Sequence, residues 1–315
     1  MKVLLFTHSQ DIDGIGCAIL ANKAFKACKI EPTKTFDITS NVKKYIASKE
    51  IYNYDKIYVT DLCIKEPVLD FIDNDKELKE KLLVLDHHKT EIEEGNNKYD
   101  FVNIIVENNG LKESGTSLFY KYLLENGYLK ESKILNEIVE WTRQYDVWDW
   151  QKENNYNAKK LHILFEILGL EKYLELMNYK VENLEKLEFN DFETSIITEF
   201  EKNVMKDITE ILEKIKIVTI NINDYNYRIG YVKSPYKYRN DINEFIISKG
   251  NPYDIDAIGM IMTDMDTVSY RQVKDYDVSV IAKHFGGKGH VGASSNSQDN
   301  ELFKKMLEEN NIEFI

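Results

Sequence analysis

Cysteine is scarce in this sequence: only Cys17, Cys28 and Cys63 occur in 315 residues. An odd number without metal-type spacing excludes a disulfide framework and a thiolate zinc site, and it fits a reducing cytoplasm. No apolar run reaches the ~18 residues that would span a bilayer, so no membrane partner is expected. The first apolar stretch, residues 3–6, gives way at once to Thr7-His8-Ser9-Gln10. That is too short for a signal-peptide core, and no small-residue cleavage site follows. Positive charge is short as well: 41 Lys and Arg stand against 54 Asp and Glu, a net charge of -13. Such a balance argues, on average, against a protein that grips long duplex nucleic acid by counterion release. It leaves room for a small phosphorylated ligand, because bound divalent cations can invert the sign of a pocket. No Ser-His-Asp or Cys-His arrangement is apparent either. What is present is ample core material, with 43% hydrophobic and 30% charged residues. Disorder is thereby excluded, and the length suits two domains or one large one.

Over the first ~90 residues strand-like and helix-like stretches alternate. Apolar runs predict strands over 2–7, 34–38, 56–60 and 82–85, with a further strand over 101–106. Helical periodicity is expected over 14–28, 41–49 and 65–73. This alternation predicts a parallel sheet covered on both faces. From 117 to 215 there is no proline and little glycine, and apolar spacing such as Leu161, Leu164, Phe165 and Leu168 predicts helices. Strand character returns over 214–222, 227–232, 257–263 and 267–271, with helices over 241–248, 278–285 and 301–310. The expected fold is α/β. A parallel-sheet domain with its helical connector fills 1–215, a smaller α/β unit fills 216–315, and a cleft lies between them.

Three predicted strand ends deliver the same chemistry. The first strand runs into His8-Ser9-Gln10-Asp11-Ile12-Asp13-Gly14, the third into Asp61 and the fourth into Asp86-His87-His88. In an open parallel sheet the ligand lies beyond the carboxyl ends of the strands. Imidazole nitrogen with carboxylate oxygen suits Mn²⁺, Zn²⁺ or Fe²⁺. His8 and Asp11 can face one ion from a tight loop, and Asp13 can face a second. Asp61 reaching both would set them ~3.5–4 Å apart, the separation of two-metal phosphoester sites. Alone, Asp-x-Asp before glycine is an ordinary helix cap. The joint pattern is harder to dismiss, because three of the six histidines fall at these strand ends and a fourth, His290, falls in a glycine-rich loop. That loop, Phe285-Gly286-Gly287-Lys288-Gly289-His290, could present main-chain amides to phosphate oxygens. Arg271 could add a planar fork for phosphate.

Together these residues resemble the DHH phosphoesterase superfamily, through Thr7–Gly16, Val59–Asp61 and the triplet Asp86-His87-His88. The C-terminal part is similar to the DHH-associated substrate domain, through Val268-Ser269-Tyr270-Arg271-Gln272 and the glycine cluster with His290. The resemblance implies that His8, Asp11 and Asp61 hold one divalent ion, with Mn²⁺ the favoured metal. Asp13, Asp61, His87 and a later aspartate would hold the other; Asp146 is the choice, with Asp149 its competitor. Asp86 would orient a histidine, His88 would face the substrate phosphate, and Arg271, Gly286, Gly287, Gly289 and His290 would grip substrate. The implied activity is hydrolysis of short oligoribonucleotides to 5′-mononucleotides, as in the nano-RNase group. The alternatives are a cyclic or linear dinucleotide phosphodiesterase, a 3′-phosphoadenosine 5′-phosphate phosphatase, or a silent nucleotide-binding module. A homodimer is left open by the apolar faces of the helical segment.

Overall fold

The structure, a computed structural model, describes residues 1–312. It divides into two compact units between Thr198 and Glu199. The first unit opens with β1 (Val3–His8), α1 (Ile12–Ala24), β2 (Cys28–Thr33), α2 (Ile38–Ala47) and β3 (Lys56–Thr60). There follow α3 (Val68–Asn74), α4 (Lys76–Lys81), β4 (Leu82–Asp86), α5 (Lys89–Glu93) and β5 (Val102–Ile104). The five strands pair in parallel in the order β2-β1-β3-β4-β5. Val3 to Phe6 are wholly buried, which is what a strand covered on both faces requires. Chain order reverses between β1 and β3. That neighbouring pair is the topological switch point, where an open α/β sheet leaves a crevice.

On one face Leu4, Phe6, Ile57, Val59 and Val84 pack with Val42 of α2, Leu69 and Ile72 of α3 and Leu78 of α4. On the other face lies α1, which is buried from Ile12 through Ala21 and so carries no polar stripe. Small residues let it come close to its neighbours: a Cβ on Gly16 would meet Thr116 Oγ1 at 2.3 Å. A short ribbon, β6 (Glu107–Asn108) and β7 (Leu111–Lys112), leads to the helices α6 (Gly115–Glu125), α7 (Lys133–Asp146), α8 (Tyr156–Asn183) and α9 (Asp191–Leu212). The long α8 is broken at Gly169, whose φ of 70° no helix contains.

The expected strand over 34–38 is displaced. The strand is Cys28–Thr33, and residues 34–37 form a turn closed by Asp37 N–H donating to Lys34 O at 2.9 Å. The alternation Cys28, Ile30, Pro32 is too polar between its apolar positions to stand out, and the expected helix over 14–28 ends where this strand begins.

The second unit begins within α9. Its sheet runs in the order β12-β13-β11-β10-β9-β8. In chain order these are β8 (Lys216–Ile222), β9 (Tyr225–Ser234), β10 (Ala257–Met262), β11 (Val268–Gln272), β12 (Lys288–Gly289) and β13 (Ala293–Asn296). Helices α11 (Val278–His284) and α12 (Glu301–Glu309) cover one face through Ile281, Phe303 and Leu307. On the other face α10 (Arg239–Ser248) and the end of α9 pack through Ile242, Ile246, Ile208 and Leu212. Those last contacts explain why the division falls ahead of the 215/216 boundary expected from sequence: the last turns of α9 belong to the core of the second sheet. Among the described residues no helix is long and apolar enough to cross a membrane.

Candidate metal centre

The switch point fixes where the polar residues gather. His8 ends β1, Asp61 follows β3, and Asp86 ends β4. The β1 turn is tight, since a Cβ on Gly14 would meet His8 O at 2.1 Å. Asp11 caps α1, one carboxylate oxygen accepting from the N–H groups of Asp13 and Gly14 at 3.2 Å each. Its other oxygen lies 2.8 Å from His8 Nδ1. The capping role and the candidate ligand role therefore use different atoms of one side chain.

Asp61 adopts a left-handed φ of 57°, a conformation that aspartate tolerates better than most side chains. Its buried carboxylate faces two ways: Oδ2 is 3.5 Å from His8 Nδ1, and Oδ1 is 3.2 Å from His87 Nε2. His87 Nε2 also lies 3.7 Å from Asp13 Oδ2 and 3.5 Å from Asp146 Oδ2. Two distinct donor groups result, and a third overlaps them. Ligand atoms of His8, Asp11 and Asp61 lie within 4.8 Å of one another, as do those of Asp13, His87 and Asp146, and as do those of Asp61, Asp86, His87 and His88. The competitor Asp149 is engaged elsewhere, 3.2 Å from Arg143 Nη1.

Asp86 is buried and serves the histidine pair. Its Oδ1 accepts from His87 N–H at 2.8 Å and lies 2.7 Å from His88 Nδ1, while Oδ2 has no partner. It thereby holds the His88 ring, leaving His88 Nε2 outward on a half-exposed side chain.

Sequence reasoning missed what holds Asp13. The carboxylate sits on the first turn of α6, taking N–H donors from Gly115 at 2.6 Å and Thr116 at 2.9 Å, and the Thr116 hydroxyl donates to Asp13 O. Only the serine-rich start Ser114-Gly115-Thr116-Ser117, with its Ser114–Ser117 capping box, signalled this helix end. Thr35 was also missed: its hydroxyl lies 3.3 Å from His8 Nε2.

The donor set can be tested against divalent cations by its own charge balance. Burial, reinforced by Asp61, pushes the Asp13 carboxyl up. Burial and the neighbouring Asp13 push Asp146 well above the carboxylate range. Burial opposes charge on Asp61 too, yet hydrogen bonds from His8 and His87 hold its carboxyl below the usual range. Burial disfavours both imidazolium ions, but the surrounding carboxylates outweigh it and raise His8 to about 10 and His87 to about 11. A cluster this acidic calls for positive charge at its centre, and imidazole with carboxylate oxygen suits Mn²⁺ or Zn²⁺ without any thiolate. Cys17 and Cys63 are buried outside both donor groups, and Cys28 is half-buried.

The remaining candidates belong to the second unit. Arg271 on β11 donates to Asn240 Oδ1 at 3.2 Å, Ser269 Oγ at 2.8 Å and Tyr270 O at 3.0 Å. Burial and the nearby Arg239 push its pKa down to about 10, and among the described residues no carboxylate lies within ion-pair distance. Arg239 stacks on Tyr236, its Cζ 3.8 Å from the ring centroid. His290 is exposed, its N–H donating to Ala293 O at 2.8 Å. The glycine amides are placed differently from the expected cradle: Gly286 N–H donates to Lys283 O and Gly287 N–H to Ala282 O. Close strand packing accounts for two of these glycines, since a Cβ on Gly287 would meet Ser295 O at 2.1 Å and one on Gly289 would meet Ser294 Cα at 2.3 Å.

A five-stranded parallel sheet whose switch point gathers histidines and aspartates defines an α/β domain with a candidate metal centre. Residues 2–142 match the family model described as DHH family, N-terminal domain. Over 314 residues the chain is 29% identical to the oligoribonuclease NrnB of Bacillus subtilis (strain 168), a match covering 97% of this chain and 75% of that protein. Among solved structures, the pGpG-specific phosphodiesterase PggH from Vibrio cholerae aligns with a TM-score of 0.56 at 12% identity, covering 99% of each chain. The exonuclease RecJ bound to manganese aligns at a TM-score of 0.47 and 14% identity, covering 100% of this chain and 91% of that chain.

Proposed function

We propose that the protein is a metal-dependent phosphodiesterase that hydrolyses short oligoribonucleotides to 5′-mononucleotides. The observation that carries this reading is the Asp61 carboxylate, whose two oxygens face the two separate donor groups. His8, Asp11 and Asp61 would hold one divalent cation, and Asp13, Asp61, His87 and Asp146 the other. Bound there, such ions supply a water of lowered pKa and offset charge that grows on the phosphoryl group. Mn²⁺ suits these donors and is the metal to test first.

The side chains do the rest. Gly115 and Thr116 fix the Asp13 carboxylate, so its reach to the centre is set by backbone amides rather than by a mobile partner. Asp86 holds His88 Nδ1, which leaves Nε2 free to meet a phosphate oxygen. Arg271 carries a half-buried guanidinium without an acid partner among the described residues, an arrangement that favours an anionic ligand. His290 would meet the same substrate from its exposed loop. The likeness to NrnB supports short RNA as substrate. The net charge of -13 supports it also, because a few phosphates need no extended basic track.

The test is turnover with Mn²⁺ of di- to pentaribonucleotides beside a linear dinucleotide with a 5′-phosphate, a cyclic dinucleotide and 3′-phosphoadenosine 5′-phosphate. Release of 5′-mononucleotides from the oligoribonucleotides is expected. Intact oligoribonucleotides would overturn the reading, and turnover confined to a cyclic dinucleotide or the bisphosphate would replace it.

A further inference from the structure

Resting on that reading, the turn between β2 and α2 has a property that neither the fold nor the metal centre requires. Phe36 is 98% exposed, more than any other large apolar side chain among the described residues. A single exposed apolar residue is unremarkable by itself. Its location is not. The turn leaves β2 at the carboxyl edge of the sheet, where Thr33 pairs with His8 and Thr33 O accepts from Ser9 N–H at 3.1 Å. The adjacent Thr35 reaches His8 Nε2. On the other side Lys34 is exposed and has no carboxylate within ion-pair distance among the described residues.

The turn is also held in shape. Asp37 N–H closes it onto Lys34 O, and Ile38 at the start of α2 is buried beneath it. The phenyl ring is thus presented to solvent on a fixed backbone, with only two side-chain torsions to restrict on binding. A protein of net charge -13 draws little attraction for RNA from its field as a whole. Its affinity for a nucleotide has to come from contacts that do not depend on net charge, and an aromatic face stacks on any base.

We propose that Lys34, Thr35 and Phe36 form a nucleotide-positioning loop, in which Phe36 stacks on a base next to the scissile phosphate and Lys34 pairs with a neighbouring phosphate. Phe36 is a positioning residue that touches neither the metal centre nor the bond that breaks. The loop gives the enzyme a preference for nucleotides over esters lacking a base.

Steady-state kinetics with Mn²⁺ test this on the full-length protein. The substrates are a diribonucleotide and its two versions with one or the other ribose abasic. F36A is expected to raise KM on the full diribonucleotide by about 5- to 150-fold, the range of one base–aromatic stack. F36W should retain near wild-type KM, and F36L should resemble F36A. The F36A defect should vanish on the abasic version that lacks the stacked base. Wild-type KM for F36A on a diribonucleotide that the wild type cleaves would overturn the loop's role alone, as would an equal defect on all three substrates. A wild-type enzyme that leaves the diribonucleotide intact would overturn the functional reading itself.

Discussion

Replacing Gly115 with alanine adds one methyl group beside the centre without removing any candidate ligand. Its Cβ would sit 2.5 Å from Asp61 Cβ, 2.9 Å from Asp61 Cα and 3.0 Å from Asp13 Oδ2. Carbon atoms prefer separations of ~3.5–4.0 Å, so Asp61 and α6 must part by about 1 Å. Two opposing terms set the stability change. Alanine gains about 1 kcal/mol over glycine in a helix, while over-packing a filled interior costs about 1–3 kcal/mol. The net loss is then about 0–2 kcal/mol. At ~2–4 °C per kcal/mol for a unit of this size, Tm falls by no more than about 8 °C. Activity responds far more steeply, because a displacement of about 1 Å at a catalytic constellation costs on the order of 10²-fold. The expected signature is a folded protein with kcat/KM on a diribonucleotide down about 100-fold and weaker Mn²⁺ binding by titration calorimetry. A G115A protein within about twofold of wild type in both measurements would refute the claim that α6 and the β3 end set the reach of Asp13 and Asp61.

Asp61→Asn removes charge facing both donor groups, so Mn²⁺ content should fall at both positions and kcat/KM should drop by more than the ~10–100-fold typical of a residue outside the ligand set. Metal analysis showing full occupancy with near-normal turnover would disprove the shared role. Asp146→Asn should lose metal from one group and most of the activity. Asp149→Asn should keep both and lower stability by only about 1 kcal/mol, because Arg143 retains its two bonds to Glu140. The reverse pattern in those two variants would move the late ligand to Asp149.

Much of this arrangement was legible because the strands announce their own ends. Residues 3–6, 56–60 and 82–85 are apolar runs that stop at His8, Asp61 and Asp86, and a parallel sheet puts such stops on one edge. The structure brings His8, Asp11, Asp13, Asp61, His87 and Asp146 together there. Gly115 and Thr116 left no comparable trace, since they hold the Asp13 carboxylate through main-chain N–H groups, which nearly every residue type carries. The hairpin of β12 and β13 was missed for a related reason: its few glycines and serines show no apolar alternation. Phe36 was hidden by the misplaced second strand. Read as an internal strand residue it would be core, and only when the strand ends at Thr33 does it become a ring in solvent, next in sequence to the Thr35 that contacts His8.

The displaced strand and the acidic centre lead to one further step. Two buried carboxyls, Asp13 and Asp61, and the half-buried Asp146 share a small volume with His8 and His87. Protons balance that charge when cations are absent, held on the two imidazoles and on the carboxyls that burial keeps from ionising. Each such proton occupies an atom that a cation would use, so metal uptake on the proposed reading releases protons and weakens as pH falls. Bound cations would also turn the most acidic spot of the first unit into its strongest attraction for phosphate. The overall charge of -13 would still give a long polyanion little further attraction from the protein as a whole. A ligand that reaches the centre with one or two phosphates and rests a base on Phe36 gains the attraction. On the proposed reading, a preference for short RNA would follow from where the charge lies.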